Sequence, residues 1–141
     1  MFDHAITKVG PIYEYFLAII YEVFGHYFEV VWVIQAILHA LTVWLIFIIC
    51  KLIFRERGEI IGLIAASAIG FHPDLIEISA MLMTETLYLF LVALFLLLFV
   101  RVYEQPRNLL YAIALGATTS LAILARPPMA LFLPLIVFFY W

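Results

Sequence analysis

Arg126 is the residue whose type and place point most directly to chemistry. It stands between an apolar run, residues 109–125, and the pair Pro127-Pro128, so a guanidinium meets the end of a membrane-length helix. An Arg at mid-bilayer costs about 2.5–3.5 kcal/mol on insertion scales, and less near an interface. The group wants an anion, unless its charge simply snorkels to water. Glu85, within Thr84-Glu85-Thr86, opens a Leu-rich run. A carboxylate there gains about 0.3–1 kcal/mol from the positive end of the helix, which by itself explains it; the functional alternative is that it faces a cavity and binds a ligand or a metal. Asp74 and Glu77 follow Pro73 and read either as solvated interfacial charges or as cavity lining. With His72 they offer imidazole and carboxylate, ligands that suit several divalent ions, but at no recognised metal spacing. No metal site is assigned. Tyr13, close behind Pro11, could contact a ligand or could be an ordinary interfacial aromatic. Gln35 and His39 lie one turn apart inside a long apolar run, where polar groups face other helices and hydrogen-bond to them.

The elements that must hold these residues are transmembrane helices. The chain has 141 residues, 68% hydrophobic and 12% charged, with a mean hydropathy of +1.19. Soluble domains carry roughly 45–50% apolar and 25% charged residues, so a water-soluble surface cannot be built from this inventory. The class is all-α: a polytopic transmembrane helical bundle with an exoplasmic interfacial helix, forming a single domain over residues 1–141. Glu14, Ala18 and Glu22 recur every four residues and share one helix face, which predicts an interfacial helix over residues 11–25. Residues 30–50 contain no formal charge over about the length that a bilayer requires. Further membrane segments follow over residues 60–72, 86–100, 109–125 and 129–141. Pro73, Asp74 and Glu77 break the second into a short re-entrant or surface piece. Gly116 and neighbouring small residues suit the fourth to close helix contact. The Phe and Leu abundance of residues 87–99 reads as lipid-facing filler. The last segment includes Pro134 and ends at Trp141 without a polar stop, which reads as a span cut short. Cys50, the single cysteine, excludes a disulfide framework and a Cys-based metal site.

Orientation follows from the basic residues near span ends. Lys51, Arg55, Arg57, Arg101 and Arg107 fall on one side, and only Lys8 and Arg126 on the other. The first side is cytoplasmic on this rule. The opposite side carries Asp3, Glu14, Glu22, Glu29, Asp74, Glu77 and Glu85 and is periplasmic, extracellular or lumenal. The protein is expected to be multi-pass, in the plasma membrane or, in a bacterium, the inner membrane. A net charge of −3 gives no case for nucleic acid.

The order of these features resembles the GT-C membrane glycosyltransferases of the dolichyl-phosphate-mannose protein mannosyltransferase type, which include bacterial lipid A aminoarabinose transferases. The similarity lies in Gly10-Pro11-Ile12-Tyr13 running through to Phe24-Gly25, then a long charge-free span, then Pro73 and Thr84-Glu85-Thr86 opening a Leu-rich helix. It closes with Gly116 through Leu124-Ala125-Arg126-Pro127. The resemblance implies transfer of a sugar from a polyprenyl-phosphate donor to an acceptor at the outer face, with inversion and with an Asp of the first outer loop as general base. It implies that Arg126 holds the carrier phosphate; Glu85, Tyr13 and Asp74 are further candidate substrate-binding residues by their own placement in the chain. Only ten residues precede Pro11, and Asp3 does not match the position of that Asp. The catalytic residue is therefore unassigned, and the chain is expected to be an incomplete piece of such an enzyme, inactive alone. A divalent metal in the complete enzyme stays open as a cofactor. The expected partners are the lipid donor, membrane lipids, and the remainder of the polypeptide or a partner helix. Two other classes compete: a transporter or lipid-carrier flippase, which also places charges along a membrane path, and a non-catalytic membrane subunit. Clustering of the acids at one face, with His39 the one ionisable residue deep in a span, argues against a transmembrane relay.

Overall fold

Hydrocarbon offers no water to satisfy peptide groups, so each spanning segment must close its hydrogen bonds on itself as helix. The computed structural model describes residues 11–81 and 83–132. Its elements are α1 (Pro11–Phe24), α2 (Phe28–Ile53), α3 (Gly58–Gly70), α4 (Pro73–Ala80), α5 (Thr84–Glu104), α6 (Leu109–Ala125) and a 3-10 turn at Pro127–Phe132. No strand occurs among the described residues. By length and composition α2 and α5 can each cross a membrane, and α3 with α4, bent by 54° at their junction, can together make a third span. At 1.5 Å per residue α2 extends about 39 Å and α5 about 31 Å, against about 30 Å of hydrocarbon. Asp3, Lys8, Pro134 and most of the segment placed at residues 129–141 lie outside the described residues.

Local sequence explains where the helices stop. Gly25, at φ +81°, takes the left-handed conformation that ends α1, and its N–H donates to the Tyr21 carbonyl at 2.9 Å. Glycine is the residue that adopts this geometry without strain. Pro73 sits in the first turn of α4, where its missing N–H costs nothing. Asn108 caps α6 by accepting from the Leu110 N–H at 3.1 Å, as short polar side chains do at helix starts. Pro127 forces the residue before it out of the helical region, and Arg126 is extended at φ −148° and ψ 114°.

The helices pack in the order α3, α2, α5, α6, with α1 laid across α2 and α6 at one end. Since α3 and α4 return the chain between them, α2 and α5 run parallel. Each has an acid in its first turn, Glu29 and Glu85, and a base in its last, Lys51 and Arg101, which complements the helix dipole at both ends. Lys51 and Arg101 thus lie at one end of the bundle, and α1 covers the other, where Arg126 stands.

Two expectations need correction. Residues 87–99 are not simply lipid-facing: Leu91, Ala93 and Phe95 are buried, and Leu91 and Phe95 join Val102, Leu115, Ala122, Ala125 and Met129 in the core between α5 and α6. Lipid and a helix partner are equally apolar, so hydropathy could not separate the two faces. Gly116 is exposed, and a Cβ built there would meet nothing within 4 Å. The close approach lies instead between α3 and α2. A Cβ at Gly58 would stand 2.7 Å from the Lys51 Cα, and one at Gly62 would stand 3.0 Å from the Phe47 carbonyl oxygen and ring. With buried Ala66 they form a stripe at every fourth position, the small-residue pattern that lets membrane helices approach closely.

Gly58→Ala is accordingly expected to destabilise the folded chain by about 1–3 kcal/mol through overpacking against backbone. Gly116→Ala should be neutral or stabilising by up to about 1 kcal/mol from helix propensity. Thermal unfolding of the two variants in detergent separates them.

Candidate functional site

The antiparallel pair α5 and α6 brings the start of one helix beside the end of the other, under α1. Helix N-termini carry partial positive charge and C-termini partial negative charge. An acid opening α5 and a base closing α6 therefore each suit their own helix end and also attract one another. Arg126 Nη2 donates to Glu85 Oε1 in an ion pair. The second carboxylate oxygen, Oε2, accepts from the Thr84 hydroxyl at 3.2 Å. Both side chains stay partly open, with 43% of the Arg126 and 32% of the Glu85 side-chain surface exposed.

Tyr88 follows Glu85 by three positions and so lies on the same face of α5. The Arg126 guanidinium stands over its ring, 5.5 Å from the centroid, within reach of a cation–π attraction. The Tyr88 hydroxyl in turn lies 3.8 Å from the Met129 sulfur, and Met129, only 1% exposed, plugs the core beneath. The prolines that end α6 thus serve the site twice: they extend Arg126 toward Glu85 and turn Met129 back under Tyr88.

α1 is tied to the same end by Gln35. This fully buried amide donates from Nε2 to the Tyr13 hydroxyl at 3.2 Å and to the Met83 carbonyl at 3.1 Å. One side chain of α2 therefore fixes both α1 and the entry to α5. Burial pushes the Tyr13 phenol up to about 12; the Gln35 hydrogen bond works against that, while Tyr21 and Glu85 add to it. The hydroxyl stays protonated and neutral below that range. Below Gln35 the seam is polar but unmatched, since Gln35 Oε1, His39 Nε2 and Thr86 Oγ1 are buried without a protein partner.

The structure brings together Arg126 and Glu85, and ties Tyr13 to the residue before α5 through Gln35. Asp74 is exposed in the first turn of α4 and makes no hydrogen bond or ion pair among the described residues. Gln35 bridges helices as its depth in a span predicted, whereas His39 Nε2 has no such bond. Among the described residues no three of His, Cys, Asp and Glu converge on a point that could hold a metal ion, so His72, Asp74 and Glu77 are not a ligand set. Tyr88 and Met129 went unread in the sequence. The signal that could have found Tyr88 is its place three residues after Glu85, the one aromatic hydroxyl in a run of Leu, Phe and Val.

Tyr13→Phe should cost about 0.5–1.5 kcal/mol, and Gln35→Ala more, about 2–3 kcal/mol, because it also leaves a cavity. With the folded phenol at about 12 against an ordinary 10.0, the linked stability is complete below pH 10 and is lost as pH rises through 12. Unfolding followed from pH 9 upward should show this loss in the parent chain and a smaller one in Tyr13→Phe.

Residues 4–141 match the pattern of the family described as dolichyl-phosphate-mannose-protein mannosyltransferase. No curated protein and no solved structure shows a significant match to the chain.

Proposed function

The chain belongs to the dolichyl-phosphate-mannose-protein mannosyltransferase family, and on that premise we propose that it serves, as part of such an enzyme, the transfer of a sugar from a polyprenyl-phosphate donor to an acceptor at the exoplasmic face of its membrane. Its membership and its apolar helices make it an integral membrane protein of a glycosyltransferase family. The observation that carries the finer reading is the Arg126–Glu85 pair at the end covered by α1. In sugar transfer from a phosphate carrier the bond from the anomeric carbon to the phosphate oxygen breaks, and that oxygen leaves with the electron pair. The acceptor hydroxyl attacks the same carbon and gives up its proton to a base. Charge therefore develops on the carrier phosphate, and a preorganised cation beside it lowers the barrier.

Arg126 suits that role because only one of its donors is used by Glu85 and a large part of its side chain is open. A guanidinium has five N–H donors, which leaves an edge for a phosphate. Glu85, held by both Arg126 and Thr84, is an orienting carboxylate in this reading rather than the base. Tyr13, with its hydroxyl committed to Gln35, shapes the wall beneath α1. Asp74, exposed in the first turn of α4, is in this reading a contact for an acceptor or donor headgroup.

Binding of a polyprenyl-phosphate sugar to the chain in lipid nanodiscs tests the assignment. Loss of a charge-assisted bidentate contact is worth roughly 1.5–3 kcal/mol, about ten- to a hundredfold in affinity. Arg126→Ala should show that loss and Arg126→Lys a smaller one, since an ammonium keeps the charge but not the fork. Unchanged affinity in Arg126→Ala would return Arg126 to interfacial snorkelling and an internal ion pair.

The exoplasmic placement has its own test. In a Cys50→Ser background, a cysteine at position 74 should react with a membrane-impermeant reagent in intact cells, and one at position 55 should react only after permeabilisation. The reverse pattern would put the pair on the cytoplasmic side.

A further inference from the structure

The opposite end of the bundle carries a groove that the proposed transfer does not use. The last turn of α2 and the last turns of α5 enclose about 420 Å³ between them, within the roughly 300–1,000 Å³ typical of ligand pockets. Leu52, Ile53, Phe99 and Val100 make apolar walls, while Arg55, Tyr103 and Glu104 stand at its polar margin. Ile53 and Tyr103 are 54% and 69% exposed, so the groove is open to its surroundings. It lies at the ends of the two helices that are long and apolar enough to cross a membrane, where acyl chains and headgroups both come within reach.

The charges at this end are unevenly matched. Lys51 pairs with Glu59 at 2.7 Å and Arg101 with Glu104 at 3.5 Å. Glu104, the one acid on the groove, is therefore already opposed by a base. Arg55, on the groove itself, makes no side-chain ion pair or hydrogen bond among the described residues, and neither do Arg57 and Arg107 nearby in the two polar turns. Glu56 is the remaining acid of this end and is likewise unpaired. An apolar slot with an uncommitted guanidinium at its mouth has the two-part chemistry of a lipid: acyl chain against the walls, anionic phosphate at the rim. Basic residues beside a membrane surface each favour anionic lipid by an amount that corresponds to about a fivefold change in affinity.

We propose that the groove between the C-terminal turns of α2 and α5 is a binding site for an anionic diacyl phospholipid, with Arg55 as its phosphate contact and Leu52, Ile53, Phe99 and Val100 holding an acyl chain. The site is independent of Arg126 and lies at the other end of the bundle. Native mass spectrometry of the full chain, released from detergent with equal phosphatidylglycerol and phosphatidylcholine, reads the preference directly. The expected result is several-fold more phosphatidylglycerol retained by the parent chain, a fall of about fivefold in Arg55→Ala toward the phosphatidylcholine level, and loss of both adducts in Val100→Trp, whose indole fills the slot. Inorganic phosphate should displace nothing, because it cannot use the walls. Should Val100→Trp fail to fold, Arg55→Ala decides alone, since Arg55 is exposed in a turn. Equal retention of the two lipids, an unchanged Arg55→Ala, or displacement by free phosphate overturns the proposal. Preferential retention of a polyprenyl phosphate over phosphatidylglycerol overturns it as well, by giving the groove to a carrier lipid.

Discussion

A guanidinium held at the end of an apolar helix is stabilised by negative charge beside it, and the architecture around α5 and α6 follows from the pair that Arg126 makes with Glu85. Arg126 is extended by Pro127 at the end of α6, Glu85 occupies the first turn of α5, and the antiparallel packing of the two helices brings them into contact. Each residue would be favoured at its own helix end without the other. Joined, they fix the relative height of α5 and α6, since sliding one helix by a turn would move the charges about 5.4 Å apart along the axis. The Tyr88 ring and the Met129 sulfur then build the core outward from that fixed point.

A second polar tie holds the rest of this end. Gln35 in α2 contacts α1 and the residue before α5 at once, so three elements meet at one buried amide. Interhelical hydrogen bonds in membranes average only about 0.6 kcal/mol, too little to drive assembly. Their effect is on register: an amide with two defined acceptors tolerates one arrangement of its neighbours, whereas Leu against Leu tolerates many. The close contact of α3 with α2 through Gly58 and Gly62 works by shape instead, using backbone proximity where side chains would intervene.

Much of this was legible in the sequence, and the parts that were not have a common cause. Arg126 could be placed because it closes an apolar run just before two prolines, and Glu85 because charge in an apolar chain is rare enough to mark a helix end. Both signals are local and polar. Tyr88 was hidden in a stretch whose apolar residues look alike whether they face lipid or protein, and Leu91 and Phe95 were misread for the same reason. The glycines show the limit most clearly. Gly116 lies among small residues of the kind that pack closely, yet it faces outward, while Gly58 beside a charged turn meets the α2 backbone. What separates them is the four-residue recurrence of Gly58, Gly62 and Ala66, a pattern of spacing rather than of composition. The polar atoms left unmatched near His39 and Thr86 had no sequence signature, because being unpaired is a property of neighbours.

The parallel course of α2 and α5 has a consequence for how the protein enters its membrane. Glu29 and Glu85 begin these helices and Lys51 and Arg101 finish them. The bases that bias insertion toward one direction are therefore the same residues that settle the backbone dipoles once the helices have formed. Topogenic signal and conformational stability are written in one set of charges. An inversion engineered by exchanging those charges between ends would place acids at helix C-termini and bases at N-termini, so the reversed protein would insert and then strain against its own helices. Direction in the bilayer is in this sense an intrinsic property of the folded bundle as well as a decision made during its synthesis.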